Sequence, residues 1–113
     1  MPSDTEWGTL TTYLGGGSIA SGKLMETGNA HWLNPNSGAT NSTGFTGLPG
    51  GSRYGDDVFL GYIVYFFGGR GYMGYWWSAS ESGSAGFMGT SNFTGVVQLS
   101  KTDGASVRCL KNN

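Results

Sequence analysis

Ser3-Asp4-Thr5-Glu6-Trp7-Gly8-Thr9-Leu10-Thr11-Thr12-Tyr13-Leu14-Gly15-Gly16-Gly17 is the stretch that decides the fold class. Ser3 with Glu6 three positions later reads as a capping box, and Asp4 adds negative charge to the first turn, where the helix dipole favours it. Trp7, Leu10 and Leu14 recur at i, i+3 and i+7, one face of a helix. Gly15-Gly16-Gly17 ends it, since glycine is the usual residue just past a helix end. A second short helix is expected from about Ser18 to Glu26, with Ile19 and Leu24 inward and Gly28 as a stop. No helical period holds after that, so the helices must pack on something else.

That something reads as strands joined by turns. From Gly28 to Arg53, Asn34-Pro35-Asn36, Ser37-Gly38, Asn41-Ser42 and Pro49-Gly50-Gly51 are turn signals in close succession. An ordered loop this long must be functional or packed by its own side chains. Trp32, Leu33, Phe45 and Leu48 supply that packing. Beyond it, Tyr75–Ser80, Ala85–Asn92, Val96–Ser100 and Ala105–Lys111 are strand candidates, mixing aromatic, β-branched and small residues. Asp103-Gly104 between the last two is a hairpin signal. On the last strand Ala105, Val107 and Cys109 would share one face, with Ser106 and Arg108 on the other. The reading is α+β: one or two N-terminal helices, a long structured loop and a twisted antiparallel sheet, in one domain over residues 1–113.

Composition narrows the function. Gly is 22 of 113 residues, about three times its usual share. Disorder would suit that content, but four Trp, six Tyr and six Phe with a net charge of −1 do not suit disorder. A chain of this length buries roughly two-thirds of the surface it exposes when unfolded, enough for one core. Six basic residues against seven acidic ones leave no basic patch for nucleic acid or anionic lipid. The balance suits neutral, hydroxyl-rich partners such as glycans, or protein surfaces. The single cysteine, Cys109, makes no internal disulfide and no cysteine-based zinc site, and reads as a small buried residue. Met1-Pro2-Ser3-Asp4 lacks the basic and apolar segments of a signal peptide. Val58–Trp77 is too interrupted, by Arg70 and five glycines, to span a membrane as a helix.

Several runs together resemble a known family. They are Pro2-Ser3-Asp4-Thr5-Glu6-Trp7 with Tyr13-Leu14-Gly15-Gly16, then Ser21-Gly22-Lys23-Leu24, then Asn34-Pro35-Asn36-Ser37-Gly38-Ala39-Thr40-Asn41. Gly44-Phe45, Leu48-Pro49-Gly50-Gly51, Gly74-Tyr75-Trp76-Trp77-Ser78 and Ser106-Val107-Arg108-Cys109 follow in order. The chain resembles the Fibrobacter succinogenes major paralogous domain family, modules of bacterial surface and secreted proteins. The resemblance implies a C-type lectin-like or formylglycine-generating-enzyme-like fold, an extracellular or cell-surface location, and a binding role. It also implies a further N-terminal stretch with a cysteine that could pair at the position of Cys109. On that basis residues 1–113 would be either the C-terminal part of the family's domain or a minimal version of it.

No residue set here makes a strong case for catalysis. Formylglycine-type oxidation needs a cysteine pair to hold copper, and there is one cysteine. His31, the only histidine, lies between Ala30 and Trp32 with no nucleophile motif beside it and reads as loop or core packing. Asp56-Asp57 is the only adjacent carboxylate pair. Such a pair can hold calcium or serve glycoside hydrolysis, with Glu81 as a distant partner, but reads first as a solvated turn after Tyr54-Gly55. No cofactor is expected. The Glu-Pro-Asn type of calcium signature is absent, and Asn34-Pro35-Asn36 lacks its carboxylate, so calcium has only a weak signal. Gly68-Gly69-Arg70-Gly71 reads as a tight turn presenting Arg70, and Trp76-Trp77 as one buried ring and one partly covered.

Val58-Phe59-Leu60-Gly61-Tyr62-Ile63-Val64-Tyr65-Phe66-Phe67 is more apolar than one loop of a small domain normally carries. Apolar excess of this kind marks an interface or replaces core supplied from elsewhere. The sequence therefore points first to a non-enzymatic ligand-binding or adhesion module. Its binding face would comprise Tyr54, Asp56, Asp57, Arg70, Tyr72, Phe87, Phe93 and Gln98. The second expectation is a self-assembling homo-oligomer using Phe59, Tyr62, Ile63, Tyr65, Phe66 and Phe67. A glycan-active enzyme ranks last.

Overall fold

The computed structural model describes residues 1–60, 62–81, 86–90 and 94–112, and of residues 55–59, 62–66 and 86–90 the backbone path only. The sequence expectations drawn on Phe93 and on residues 82–85 lie outside the described residues. The elements are α1 (Asp4–Tyr13), α2 (Gly17–Leu24), β1 (Ser52–Phe59), β2 (Tyr62–Gly68), β3 (Met73–Trp77), β4 (Gly86–Thr90) and β5 (Thr94–Val97). Among the described residues the architecture is α+β, with two helices and two antiparallel sheets. None of the described helices is long and apolar enough to cross a membrane.

α1 begins as its sequence requires. The Glu6 N–H donates to Ser3 Oγ at 3.2 Å, and the Ser3 N–H donates to Glu6 Oε2 at 2.8 Å, closing the capping box. At the other end the Gly16 N–H reaches Thr11 O and the Gly15 N–H reaches Thr12 O, both at 3.0 Å. This is a Schellman ending, with Gly15 at φ 109°, a backbone that glycine adopts at no steric cost. α2 stops at Leu24 rather than Glu26, because the chain turns extended at Met25 and pairs with the long loop: the Gly47 N–H donates to Leu24 O at 2.8 Å and the Glu26 N–H to Gly47 O at 3.1 Å. Leu24 is buried as expected, but Ile19 is 54% exposed. Five positions at the α-helical pitch place the two residues about 140° apart, so one face cannot hold both, and Ala20 and Ser21 take the inward positions.

Trp7, Leu14, Ala20, Leu24 and Trp76 form the core, with Leu10 and Phe45 packed against it. Phe45, from the long loop, sits edge-on between Trp7 and Trp76, with ring centroids 6.2 and 5.5 Å away. The three-stranded sheet has order β3-β4-β5, and the helices pack against β4 and β5. β3 runs Met73–Trp77, two residues earlier than the expected Tyr75 start. It ends where Ser78 Oγ accepts the Ser80 N–H at 3.2 Å, a local bond that competes with the ladder. Of the two adjacent tryptophans, Trp76 is buried and Trp77 half-buried.

Two expectations for the C-terminal segment are corrected. Ala105–Lys111 is not a strand, and Asp103-Gly104 does not join it to β5 in a hairpin. A turn closed by the Asp103 N–H to Ser100 O, 2.9 Å, carries the chain instead to the opposite edge of the sheet. There Gly104 exchanges backbone hydrogen bonds with Arg53 at 2.9 and 2.7 Å, and Ser106 bridges β3 through Tyr75 O and the Trp77 N–H. The segment then runs along the surface. Arg108 lies over the Phe45 ring at 4.3 Å, and Cys109 is exposed rather than buried.

Gly74 is placed so that a Cβ would lie 2.3 Å from the Trp76 ring and 2.7 Å from Leu48 O. Gly74→Ala should therefore destabilise the protein by about 1–3 kcal/mol, read as a lower denaturant midpoint with unchanged slope. Ser3→Ala should cost about 1 kcal/mol through the lost cap. The backbone and side-chain hydrogen bonds from Ser3 hold the Glu6 carboxyl below its ordinary value of 4.5. A depressed folded value means that this contribution is complete above pH 4.5 and is lost as pH falls through the lower folded value. Unfolding curves of Glu6→Ala should lack that acid-side decline.

Candidate functional site

The long loop between α2 and β1 is ordered because its turn residues bond one another and the end of α2. Asn36 is only 8% exposed, and its Nδ2 donates to Glu26 O at 2.8 Å and Gly28 O at 2.7 Å. The Trp32 indole N–H donates to Gly47 O at 3.0 Å. Thr43 Oγ1 donates to Lys23 O at 2.8 Å, and the Thr46 N–H donates to Asn41 Oδ1 at 2.8 Å. Trp32 and Phe45 dip inward as expected, whereas Leu33 and Leu48 stay exposed. The Asn34–Pro35 peptide is cis. His31 does not pack inward either. Its Nδ1 meets the Glu26 carboxylate at 2.9 Å on the surface.

The turn between β2 and β3 is docked on this loop. The Leu33 N–H donates to Gly71 O at 3.0 Å, and the Gly71 N–H donates to Pro49 O at 2.9 Å. Gly69 at φ 77° and Gly71 at φ 90° make the tight turn read from Gly68-Gly69-Arg70-Gly71, and Arg70 between them is exposed. Together the two segments enclose a groove of about 430 Å³ lined by Ala30, His31, Leu48, Pro49, Gly50 and Arg70. Its wall is aliphatic and its rim cationic. Among the described residues Arg70 has no carboxylate partner. Such a wall with a free guanidinium can seat an apolar face and accept a planar acceptor group in bidentate fashion. A second concavity, about 390 Å³, lies at the other end of the sheet between Trp77, Ser80, Glu81, Lys101 and Val107.

The eight residues expected to share a binding face are distributed over the molecule. Arg70 and Tyr72 share the β2–β3 turn, and both are exposed. Tyr54 is exposed on β1, against Gly68 of β2. Asp56 and Asp57 are not in a turn. They lie in β1, where the pairing with β2 shifts register between Tyr54 and Asp57, so that a bulge absorbs Gly55-Asp56. Phe87 lies in β4 opposite Trp76. Gln98 follows β5 at the Trp77 end of the sheet, because β5 runs antiparallel to β4 and ends opposite Gly86. Arg70 precedes β3 at the other end, so Gln98 and Arg70 stand a strand's length apart. The expected interface run is split by a turn at Leu60, placing Phe59 in β1 and Tyr62, Ile63, Tyr65, Phe66 and Phe67 in β2. Among the described residues no three His, Cys, Asp or Glu side chains are grouped as metal ligands.

Sequence reasoning missed the groove's wall, because Leu48 and Pro49 read as packing and turn residues. The one available signal was Arg70, a lone cation in a glycine turn. Replacing Asn36 by Leu would strand the carbonyls of Glu26 and Gly28 and should destabilise the protein by about 1–3 kcal/mol, measured by chemical unfolding.

No curated protein and no solved structure matches this chain. A family model does, over residues 1–111, and the chain accordingly belongs to the Fibrobacter succinogenes major domain family.

Proposed function

We propose that this chain is a non-enzymatic ligand-binding or adhesion module of an extracellular or cell-surface protein. Its binding site is the groove between the long loop and the β2–β3 turn. The observation that carries this is the pair of backbone hydrogen bonds, Leu33 to Gly71 and Gly71 to Pro49, that hold Arg70 in place beside an aliphatic wall. A cation fixed by main-chain bonds binds without first paying the entropy of ordering its segment. The ligand it suits is a glycan or protein surface with an apolar face for Leu48 and Pro49 and a carboxylate or other acceptor for Arg70. The net charge of −1 gives little long-range steering, so recognition is local. The module reads as a C-type lectin-like arrangement, and the packing of a long loop on an antiparallel sheet with two flanking helices supports that reading.

The test is isothermal titration against polygalacturonate, a neutral glucan and bacterial cell-wall fragments, with wild type and Arg70→Ala. Arg70→Ala should weaken binding about tenfold or more while leaving the unfolding midpoint unchanged. Absence of saturable binding to all three at millimolar concentration, or binding indifferent to both Arg70→Ala and Leu48→Ser, would remove this groove as the site.

A further inference from the structure

β2 reads Tyr62-Ile63-Val64-Tyr65-Phe66-Phe67-Gly68. It holds no charge and no proline, and no glycine before its last position. A strand with apolar residues at every position has no polar face to offer water, whichever way it is turned. β1 lies between β2 and the C-terminal segment: Arg53 pairs with Phe67 on one side and exchanges backbone bonds with Gly104 on the other. β2 is thus the outer strand, and among the described residues no third strand pairs with it. Phe67 is 80% exposed and Leu60, at the tip, 82%. A lone two-stranded hairpin is marginal in water, and a long apolar edge is normally blunted by charge, proline or a bulge. The hairpin's one register shift and its charges, Arg53, Asp56 and Asp57, are all on β1.

We propose that β2 pairs antiparallel with β2 of a second copy of the chain about a two-fold axis, giving a four-stranded sheet in the order β1-β2-β2-β1. The strand is complementary to itself. With the axis at Tyr65, Val64 faces Phe66 and Ile63 faces Phe67, β-branched against aromatic, which are favourable cross-strand pairs. Tyr62 then falls opposite Gly68, the last residue of the strand. The pairing is isologous, so both open edges disappear in one closed step. The strands left outermost are the charged, bulged β1 strands, already held at their base by Gly104. Growth therefore stops at two copies rather than continuing into a fibre. The absence of charge along β2 disfavours a foreign strand recognised by ion pairs.

Sedimentation velocity on the full chain from 1 to about 300 µM tests this, in a Cys109→Ser background that excludes disulfide-linked species. The expected result is a monomer–dimer equilibrium with no higher species and little dependence on salt, because the interface is uncharged. Tyr65→Lys sets like charges opposite each other at the axis and should weaken the dimer about tenfold or more. Phe67→Lys, at an exposed position, should weaken it while retaining the native tryptophan fluorescence, so loss of the dimer is separable from loss of the fold. A wild type that stays monomeric over the whole range overturns the proposal. So does a dimer that neither substitution weakens, and so does growth to larger polymers.

Discussion

Gly47 is the point on which the rest of the structure depends. Its N–H donates to the last carbonyl of α2, and its carbonyl accepts both the Glu26 N–H and the Trp32 indole. A Cβ there would lie 3.1 Å from Leu24 O and 3.3 Å from the Trp76 ring. Three hydrogen bonds at a residue without a side chain let the long loop come flush against the helix end and the core. Phe45 is thereby delivered between Trp7 and Trp76, and Arg108 from the far end of the chain closes over it. A segment without helix or strand becomes part of the core because its backbone polar groups are satisfied as it is buried, which is the condition for burying a loop at all.

That rigidity is what gives the surface its two distinct regions. The loop, once fixed, holds the β2–β3 turn through Gly71 and so sets where Arg70 stands. The β1–β2 hairpin is tied down near its base, through Gly51 to Met73 and Arg53 to Gly104. The helices and the three-stranded sheet bury their apolar residues on one another, while β1 and β2 pack chiefly on each other. An aromatic content of 14%, high for a domain of this size, is thus divided. The tryptophans make the core, and the tyrosines and phenylalanines of β2 make an edge.

Local signals were legible where the physics is local. Ser3 and Glu6 cap a helix within four residues, Gly15 and Gly16 end it through bonds that span one turn, and Gly69 and Gly71 shape their turn alone. Phe45 and Trp32 were legible as inward residues because aromatics in a turn-rich segment have nowhere else to go. Ile19 was misread because a short helix has room for only a narrow inward face, which Ala20 and Leu24 took. Asp56 and Asp57 were misread because a glycine beside two aspartates looks the same in a turn and in a bulged strand. Cys109 was misread because an alternating sequence reads as a strand whether or not an edge is free to receive it.

The sequence by itself determined the α+β class, the first helix with both its ends, the ordered nature of the long loop and the family. All of these rest on residue type and short spacing. Tertiary structure alone decided which strands are neighbours, that the C-terminal segment crosses to β3 and not back to β5, and that Arg70 and Gln98 lie at opposite ends of the sheet. Pairing of distant segments depends on which backbone edges remain unsatisfied once the core has closed, and that is a property of the assembled chain, not of any stretch within it.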